Sequence, residues 1–191
     1  MLENMVEYKR FVWELNNTIE QKSKSNNIVF LCLGTNQIIG DSFGPLVGSI
    51  LKKRLSNNKN VKIIGDLDNV ITYNEIHECR NYLSKYCRDS LVVVLDSALS
   101  NQNNIGKVYI QNRGLRYAES LKKENDVIGN VSIKAVVGEN KFNNITNFKN
   151  LQQASLQNIH NMSNIVSNGI IEVLNKKANN GKNICNWNSY I

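Results

Sequence analysis

Residues Ile28-Val29-Phe30-Leu31-Cys32-Leu33 form an unbroken apolar run between the polar stretch Lys22 to Asn27 and Gly34. A short run with β-branched members and no hydrophilic face reads as a strand buried on both sides, which requires a covering layer on each face of its sheet. After a loop from Thr35 to about Phe43, Val47, Ile50, Leu51 and Leu55 recur at helical spacing, with the only proline, Pro45, in the first turn where no amide donor is needed. Val61 to Gly65 reads as a second short strand, and Thr72-Tyr73-Asn74-Glu75 has capping-box spacing at the start of a helix to about Cys87. A third strand follows at Leu91 to Leu95, and further strands at Val108 to Ile110 and Val131 to Val137. One long helix is expected from near Asn150 to Lys176, with Leu151, Ile159, Met162, Val166, Ile170 and Val173 inward. Strand and helix in alternation imply an α/β fold, a three-layer αβα sandwich around a doubly wound, mostly parallel sheet. The functional crevice of such a sheet lies outside the carboxyl ends of its strands.

A chain of 191 residues suffices for one domain with a continuous core, here residues 1–177. Tyr8, Val12, Leu15 and Ile19 place an amphipathic helix over 5–22, packed on that body, and 178–191 reads as an Asn-rich tail in which Trp187 and Tyr190 are candidates for surface docking. The apolar runs fall far short of the roughly 20 residues that span a bilayer, and MLENMVEYKR has no signal-peptide apolar region, so no membrane partner and a cytoplasmic location are expected. Four cysteines without a C-x-x-C pair give neither a disulfide framework nor a zinc ribbon. The net charge of +7 is spread over small groups such as Lys52 to Arg54 and Lys176-Lys177, mostly at helix ends, which argues against nucleic acid and favours an acidic protein partner. About one residue in six is asparagine, so an asparagine alone is weak evidence for a site.

Two carboxylates fall where the crevice is expected. Asp41 lies in the loop after the first strand, within Gly34-Thr35-Asn36-Gln37-Ile38-Ile39-Gly40-Asp41-Ser42-Phe43-Gly44-Pro45, and Asp96 ends the third strand in Leu95-Asp96-Ser97. If those strands are neighbours, both side chains leave one edge of the sheet, repel each other, and can supply a base and an acid together. The competing readings are two oxygen ligands of a divalent metal, or a structural role in which Asp41 or Ser42 caps the next helix and Asp96 satisfies loop amides. Gly34, Gly40 and Gly44 suggest positive φ angles or close backbone approaches. Neither G-x-x-x-x-G-K-[ST] nor G-x-G-x-x-G nor G-x-S-x-G occurs, which sets aside phosphate loops and the serine-hydrolase elbow. His77 and His160 lie inside helices and read as packed or surface residues.

Leu31-Cys32-Leu33-Gly34-Thr35-Asn36, Gly40-Asp41-Ser42-Phe43-Gly44-Pro45-Leu46-Val47-Gly48, Leu95-Asp96-Ser97-Ala98-Leu99 and Gly129-Asn130-Val131-Ser132-Ile133 together resemble the YyaC family of sporulation proteins. That family is similar in fold to the germination protease of spore-forming bacteria and, more distantly, to the proteases that trim a hydrogenase large subunit. The resemblance implies a phosphorylase/hydrolase-like αβα domain in the forespore or mother cell. It also implies a peptidase in which Asp41 and Asp96 are catalytic and Gly34, Thr35, Asn36, Asn130 and Ser132 bind substrate. No histidine occurs in Gly129 to Glu139, where the hydrogenase proteases carry a metal-binding one, so neither a resident metal nor a cofactor is expected. Asn36-Gln37 stands where the family pattern has Asp-Arg, and Ser97 and Ser100 depart from its second motif. The implied partner is a protein or peptide substrate, an acidic spore protein first, with oligomeric state open; the alternative is a non-catalytic sporulation factor that uses the protease fold as a scaffold.

Overall fold

The apolar runs become the strands of one twisted sheet in the computed structural model, which describes residues 2–117, 127–141 and 143–184. Strands β1 (Ile28–Cys32), β2 (Val61–Ile64), β3 (Leu91–Ser100), β4 (Val108–Gln111) and β7 (Val131–Glu139) lie in the order β2-β1-β3-β7-β4. Every pairing is parallel except β4 with β7. Two short strands, β5 (Leu115–Arg116) and β6 (Val127–Ile128), form a separate antiparallel pair.

Period-two alternation divides the core between the two faces. Phe30, Cys32, Val93, Leu95, Ile133 and Ala135 pack with the helices α1 (Leu2–Lys22), α2 (Phe43–Arg54) and α5 (Leu156–Ile184). Val29, Leu31, Val92 and Val94 pack with α3 (Ile76–Tyr86) and with Leu115 and Ile128 of the small pair. The inward stripes of the helices are those the periodicity marks: Leu15 and Ile19 on α1, and Ile159, Val166, Ile170 and Val173 on α5, are fully buried. Each such side chain contributes roughly 1.5–3 kcal/mol by leaving water. This is the three-layer doubly wound arrangement. Because β1 passes through α2 to β2 on one side, and β2 returns through α3 to β3 on the other, the winding reverses between β1 and β3.

Three local expectations change. The third strand does not stop at Leu95; β3 runs five residues further, because β7 continues to pair with it from Asp96 to Ser100 after β1 has ended, with a bulge between Ala98 and Leu99. The single long helix is two, α4 (Asn144–Gln152) and α5. Asn143 caps the first through the Ile145 and Thr146 amides, and Ser155 Oγ accepts from the Asn158 amide at the start of the second. α5 then continues past the expected tail boundary to Ile184; Trp187 and Tyr190 lie outside the described residues. The capping box at Thr72 and Glu75 is present, opening a 3-10 turn that leads into α3. No helix among the described residues is long and apolar enough to cross a membrane.

Two glycines of α2 set how closely the helix lies on the strand ends. A Cβ on Gly44 would sit 2.0 Å from the Leu33 carbonyl oxygen, and one on Gly48 2.0 Å from the Gly65 carbonyl oxygen. Both neighbours are backbone and cannot move aside. Alanine in place of glycine inside a helix ordinarily gains up to about 1 kcal/mol. Here the clash reverses the sign: Gly44→Ala is expected to lower unfolding free energy by roughly 1–3 kcal/mol, read from the midpoint of urea denaturation.

Candidate functional site

Asp41 is the last residue of a 3-10 turn, Ile39–Asp41, that follows β1. The turn is clamped from both sides. A Cβ on Gly34, whose φ is +132°, would meet the Asp41 carbonyl oxygen at 2.0 Å, and one on Gly40 would meet the Leu151 carbonyl oxygen of α4 at 2.6 Å. The Thr35 amide donates to the Asp41 carbonyl oxygen at 3.1 Å, and Ser42 Oγ donates to the Ile39 carbonyl oxygen at 2.7 Å. Ser42 is the N-cap residue of α2 but makes no side-chain capping bond. Of the three glycines of this loop, only Gly34 has a positive φ; Gly40 and Gly44 are close approaches.

Asp96 lies on β3 one residue past the last ladder contact with the first strand, where the Leu33 amide donates to the Leu95 carbonyl oxygen at 2.8 Å. β1 leaves the sheet there and β3 does not, so the crevice opens at Asp96, at the point where the winding reverses. The expected adjacency of the two strands is present. The Asp41 and Asp96 carboxyls are close enough for the charge of one to act on the other. Burial pushes Asp41 up to about 6 against a weaker pull down from the Thr35 amide. Burial and the Asp41 charge push Asp96 up to about 7, opposed by the Lys134 charge and the Ser97 amide. Both carboxyls therefore keep their protons to higher pH than a solvated carboxylate does.

A third strand-end aspartate shows the contrast. Asp66, after β2, is 4% exposed and fully engaged. Its carboxylate takes the Lys52 ammonium at 2.6 Å and the Asp68 and Asn69 amides at 2.8 Å each. Burial alone would raise its pKa, but these donors hold it below the usual carboxylate range. It organises the loop after β2.

The other candidates divide. Gly34 and Thr35 lie at the rim, where Thr35 Oγ1 accepts from the Gln37 amide at 3.2 Å. Asn36 is exposed beside them and donates to the Leu67 carbonyl oxygen at 2.8 Å, tying the loop after β1 to that after β2. Ser132 is wholly buried two residues below the level of Asp96, in register with Val94 and hydrogen-bonded to Gln111 at 3.3 Å. Asn130 is not at the crevice. It precedes β7, and its amide and side chain bond the backbone of Val92 near the start of β3, so it stands at the opposite end of the strands and pins them together. Its partner Gly129 has φ +80° and leaves space that a Cβ would contest with Val94 at 2.5 Å. Lys134 was missed; it sits on β7 in register with Asp96. His77 and His160 are exposed on their helices. Among the described residues no group of three or more His, Cys, Asp or Glu side chains is arranged to hold a metal ion.

The turn and the helix packed on it expose apolar side chains. α4 rests on the turn that carries Asp41, and Ile145 and Phe148, three apart on that helix, are 71% and 49% exposed, with Ile39 of the turn 40% exposed. A groove of about 220 Å³ between α1, β4 and α5 lies at the outer edge of the sheet and is lined by neither Asp41 nor Asp96.

The sheet order, the covering helices and the crevice at the reversal point define an αβα protein of the kind found in several hydrolases. Solved structures with the same fold include a [NiFe] hydrogenase maturation protease HycI from Thermococcus kodakarensis, 18% identical with a TM-score of 0.50 over 84% of this chain and 98% of that one. A peptidyl-tRNA hydrolase from Acinetobacter baumannii is 11% identical with a TM-score of 0.52 over 79% and 94%. The chain belongs to the family described as protein of unknown function DUF1256, whose pattern matches residues 2–169. It is 26% identical over 150 residues to the uncharacterized protein YyaC of Bacillus subtilis strain 168, covering 78% of this chain and 71% of that protein.

The carboxyl pair carries a consequence for stability. Both groups bind protons more tightly folded than at their ordinary value of 3.8, so their contribution is fully present below that value and is lost as pH rises through about 6 and 7. Asp66 and Glu172, held low, act oppositely and weaken the fold as pH falls below the ordinary carboxylate range. Urea midpoints of the parent chain are expected to fall between pH 5 and pH 8. Asp96→Asn removes the charge that is buried at pH 8, and is expected to flatten that fall, stabilising the fold more at pH 8 than at pH 5.

Proposed function

We propose that the chain is a sporulation-associated peptidase of the germination-protease type, in which Asp41 and Asp96 work as a base and acid pair without a resident metal. What supports the reading is that two half-buried carboxyls meet at the reversal point of the sheet, where burial raises both and the Asp41 charge raises Asp96 further. Asp96 has both burial and the Asp41 charge against its ionised form, so we take it as the acid and Asp41 as the base. The Asp41 carboxylate removes a proton from water as the water oxygen bonds to the peptide carbonyl carbon. Asp96 then gives its proton to the nitrogen as the carbon–nitrogen bond breaks, and a carboxylic acid and an amine leave. Asp41 is now protonated and Asp96 ionised, and exchange with solvent restores the starting state.

Several features support a polypeptide as substrate. Ile39 of the turn, and Ile145 and Phe148 of the helix that rests on it, offer exposed apolar surface suited to side chains of a polypeptide. The formal charge of +7 favours an acidic chain, and an acidic spore protein is the class to test first. The chain would then act in the forespore or mother-cell cytoplasm. The alternative, a scaffold that keeps both aspartates as helix caps, loses that rationale at Asp41, because the residue in the capping position of α2 is Ser42.

Purified protein incubated with small acid-soluble spore proteins is expected to cleave them at pH 6–7. Asp41→Asn and Asp96→Asn are each expected to lower the rate at least about 100-fold while the variants remain folded. Product is read by mass spectrometry, and the fold by circular dichroism at the same pH. A parent chain that binds such a protein without cutting it, and binds equally well in both variants, would establish the scaffold instead.

A further inference from the structure

Lys134 is a basic residue in the middle of an otherwise buried strand: Ser132, Ile133, Ala135 and Val136 around it are all buried. Parallel register places it directly beside Asp96, on a neighbouring strand about 4.8 Å away. Alternation turns both side chains to the same face, since Leu95 and Ile133, the residues before them, both point to the α1, α2 and α5 layer. Both are half-buried. The ion pairs between described residues join Lys52 to Asp66, Lys141 to Glu139 and Lys176 to Glu172, so Lys134 is committed to none of them.

A cation kept beside a carboxyl without a fixed partner is costly in a buried strand unless some state of the site needs it. Hydrolysis supplies such a state. Before reaction the negative charge of the pair sits on Asp41, in the turn. Once Asp41 has taken a proton from water and Asp96 has given one to the leaving nitrogen, that charge has moved to Asp96. Lys134 stands at the destination of the charge and not at its origin.

We propose that Lys134 is the counter-charge for the Asp96 carboxylate formed when Asp96 releases its proton to the departing amine. It acts through Asp96 and need not touch substrate. This inference rests on the peptidase reading for its role in turnover, but the pairing itself can be measured in the resting protein. The charged groups that act on Asp96 are Asp41 from the turn and Lys134 from β7, together with the Ser97 amide on its own strand. An interaction that favours the end of a step over its start speeds that step, whereas one equal at both ends does not.

The experiment is a carbon-13 NMR titration of the side-chain carboxyls in the full chain, comparing the parent with Lys134→Met and Lys134→Arg. Methionine keeps most of the stem and removes the charge; arginine keeps the charge. In Lys134→Met the Asp96 titration is expected to move up by about one pH unit, while Lys134→Arg stays near the parent value. On a cleaved substrate, Lys134→Met is expected to lower kcat with KM little changed and to move the alkaline limb of the pH profile upward, with arginine restoring both. An Asp96 titration that does not move in a folded Lys134→Met overturns the proposal, whether or not the protein cleaves anything. A titration that moves in a protein without peptidase activity supports the pairing and overturns the reading of turnover.

Discussion

The close seating of α2 on the ends of β1 and β2 is the constraint from which the rest of the site follows. Gly44 and Gly48 are four residues apart, on one face of the helix, and each lets a carbonyl oxygen of a strand end come where a Cβ would be. A helix held at that distance leaves little slack for the chain that joins it to β1. Residues 34–41 must therefore turn tightly, and the positive φ of Gly34 with the bare flank of Gly40 lets the turn pack between the sheet and α4. Asp41 is held by backbone contacts, with the Ser42 hydroxyl bonded to the Ile39 carbonyl oxygen. That rigidity is what a pair of repelling carboxyls needs, because a mobile loop would swing one of them into water and end the coupling.

Asp66 shows what this fold does with an aspartate that has only a structural task. It is given a lysine and two amides, and its charge is welcome at neutral pH. Asp41 and Asp96 receive no such set of donors. Burial holds the proton of each, and the Asp41 charge adds to the hold on Asp96, at some expense in stability near neutrality. A site that weakens its own fold at working pH is better explained by chemistry than by architecture, since replacement by neutral residues would relieve it.

The alternation of apolar runs with amphipathic segments made the layers legible, because continuous runs such as Ile28 to Leu33 leave no solvent face and helical stripes such as Ile159 to Val173 leave one clear buried face. The rim was legible only in part. Asp41 and Asp96 could be placed from strand ends, but the strand carrying Asp96 is longer than its apolar core, since its later residues are held by β7 and not by hydrophobicity. Asn130 and Ser132 share a motif with β7, and sequence proximity to that strand says nothing about which end of it faces the site; the parallel register decides that, and puts Asn130 at the far end. Lys134 was hidden for the same reason. A single lysine within Val131-Ser132-Ile133-Lys134-Ala135-Val136 looks like an interruption until its cross-strand neighbour is known. The break before α5 was marked by Ser155, a residue type suited to capping, but the apolar spacing on either side ran through it.

Solved structures of the same fold carry the names of unlike hydrolases, one a maturation protease and another a peptidyl-tRNA hydrolase, so the fold does not select the reaction. What selects it is the set of side chains at the reversal point of the sheet. In this chain that set consists of two acids whose pKa values are raised and one lysine in register with the second acid. Such a set has no built-in nucleophile of the serine or cysteine kind. Cys32, at the end of β1, is wholly buried on the α2 face, where burial pushes its pKa up and away from reactivity. Water is then the nucleophile the site can activate, and a leaving group that needs a proton is the one it can release. On the peptidase reading proposed above, an amide nitrogen meets that description, whereas an alkoxide bound for rapid departure needs the proton less.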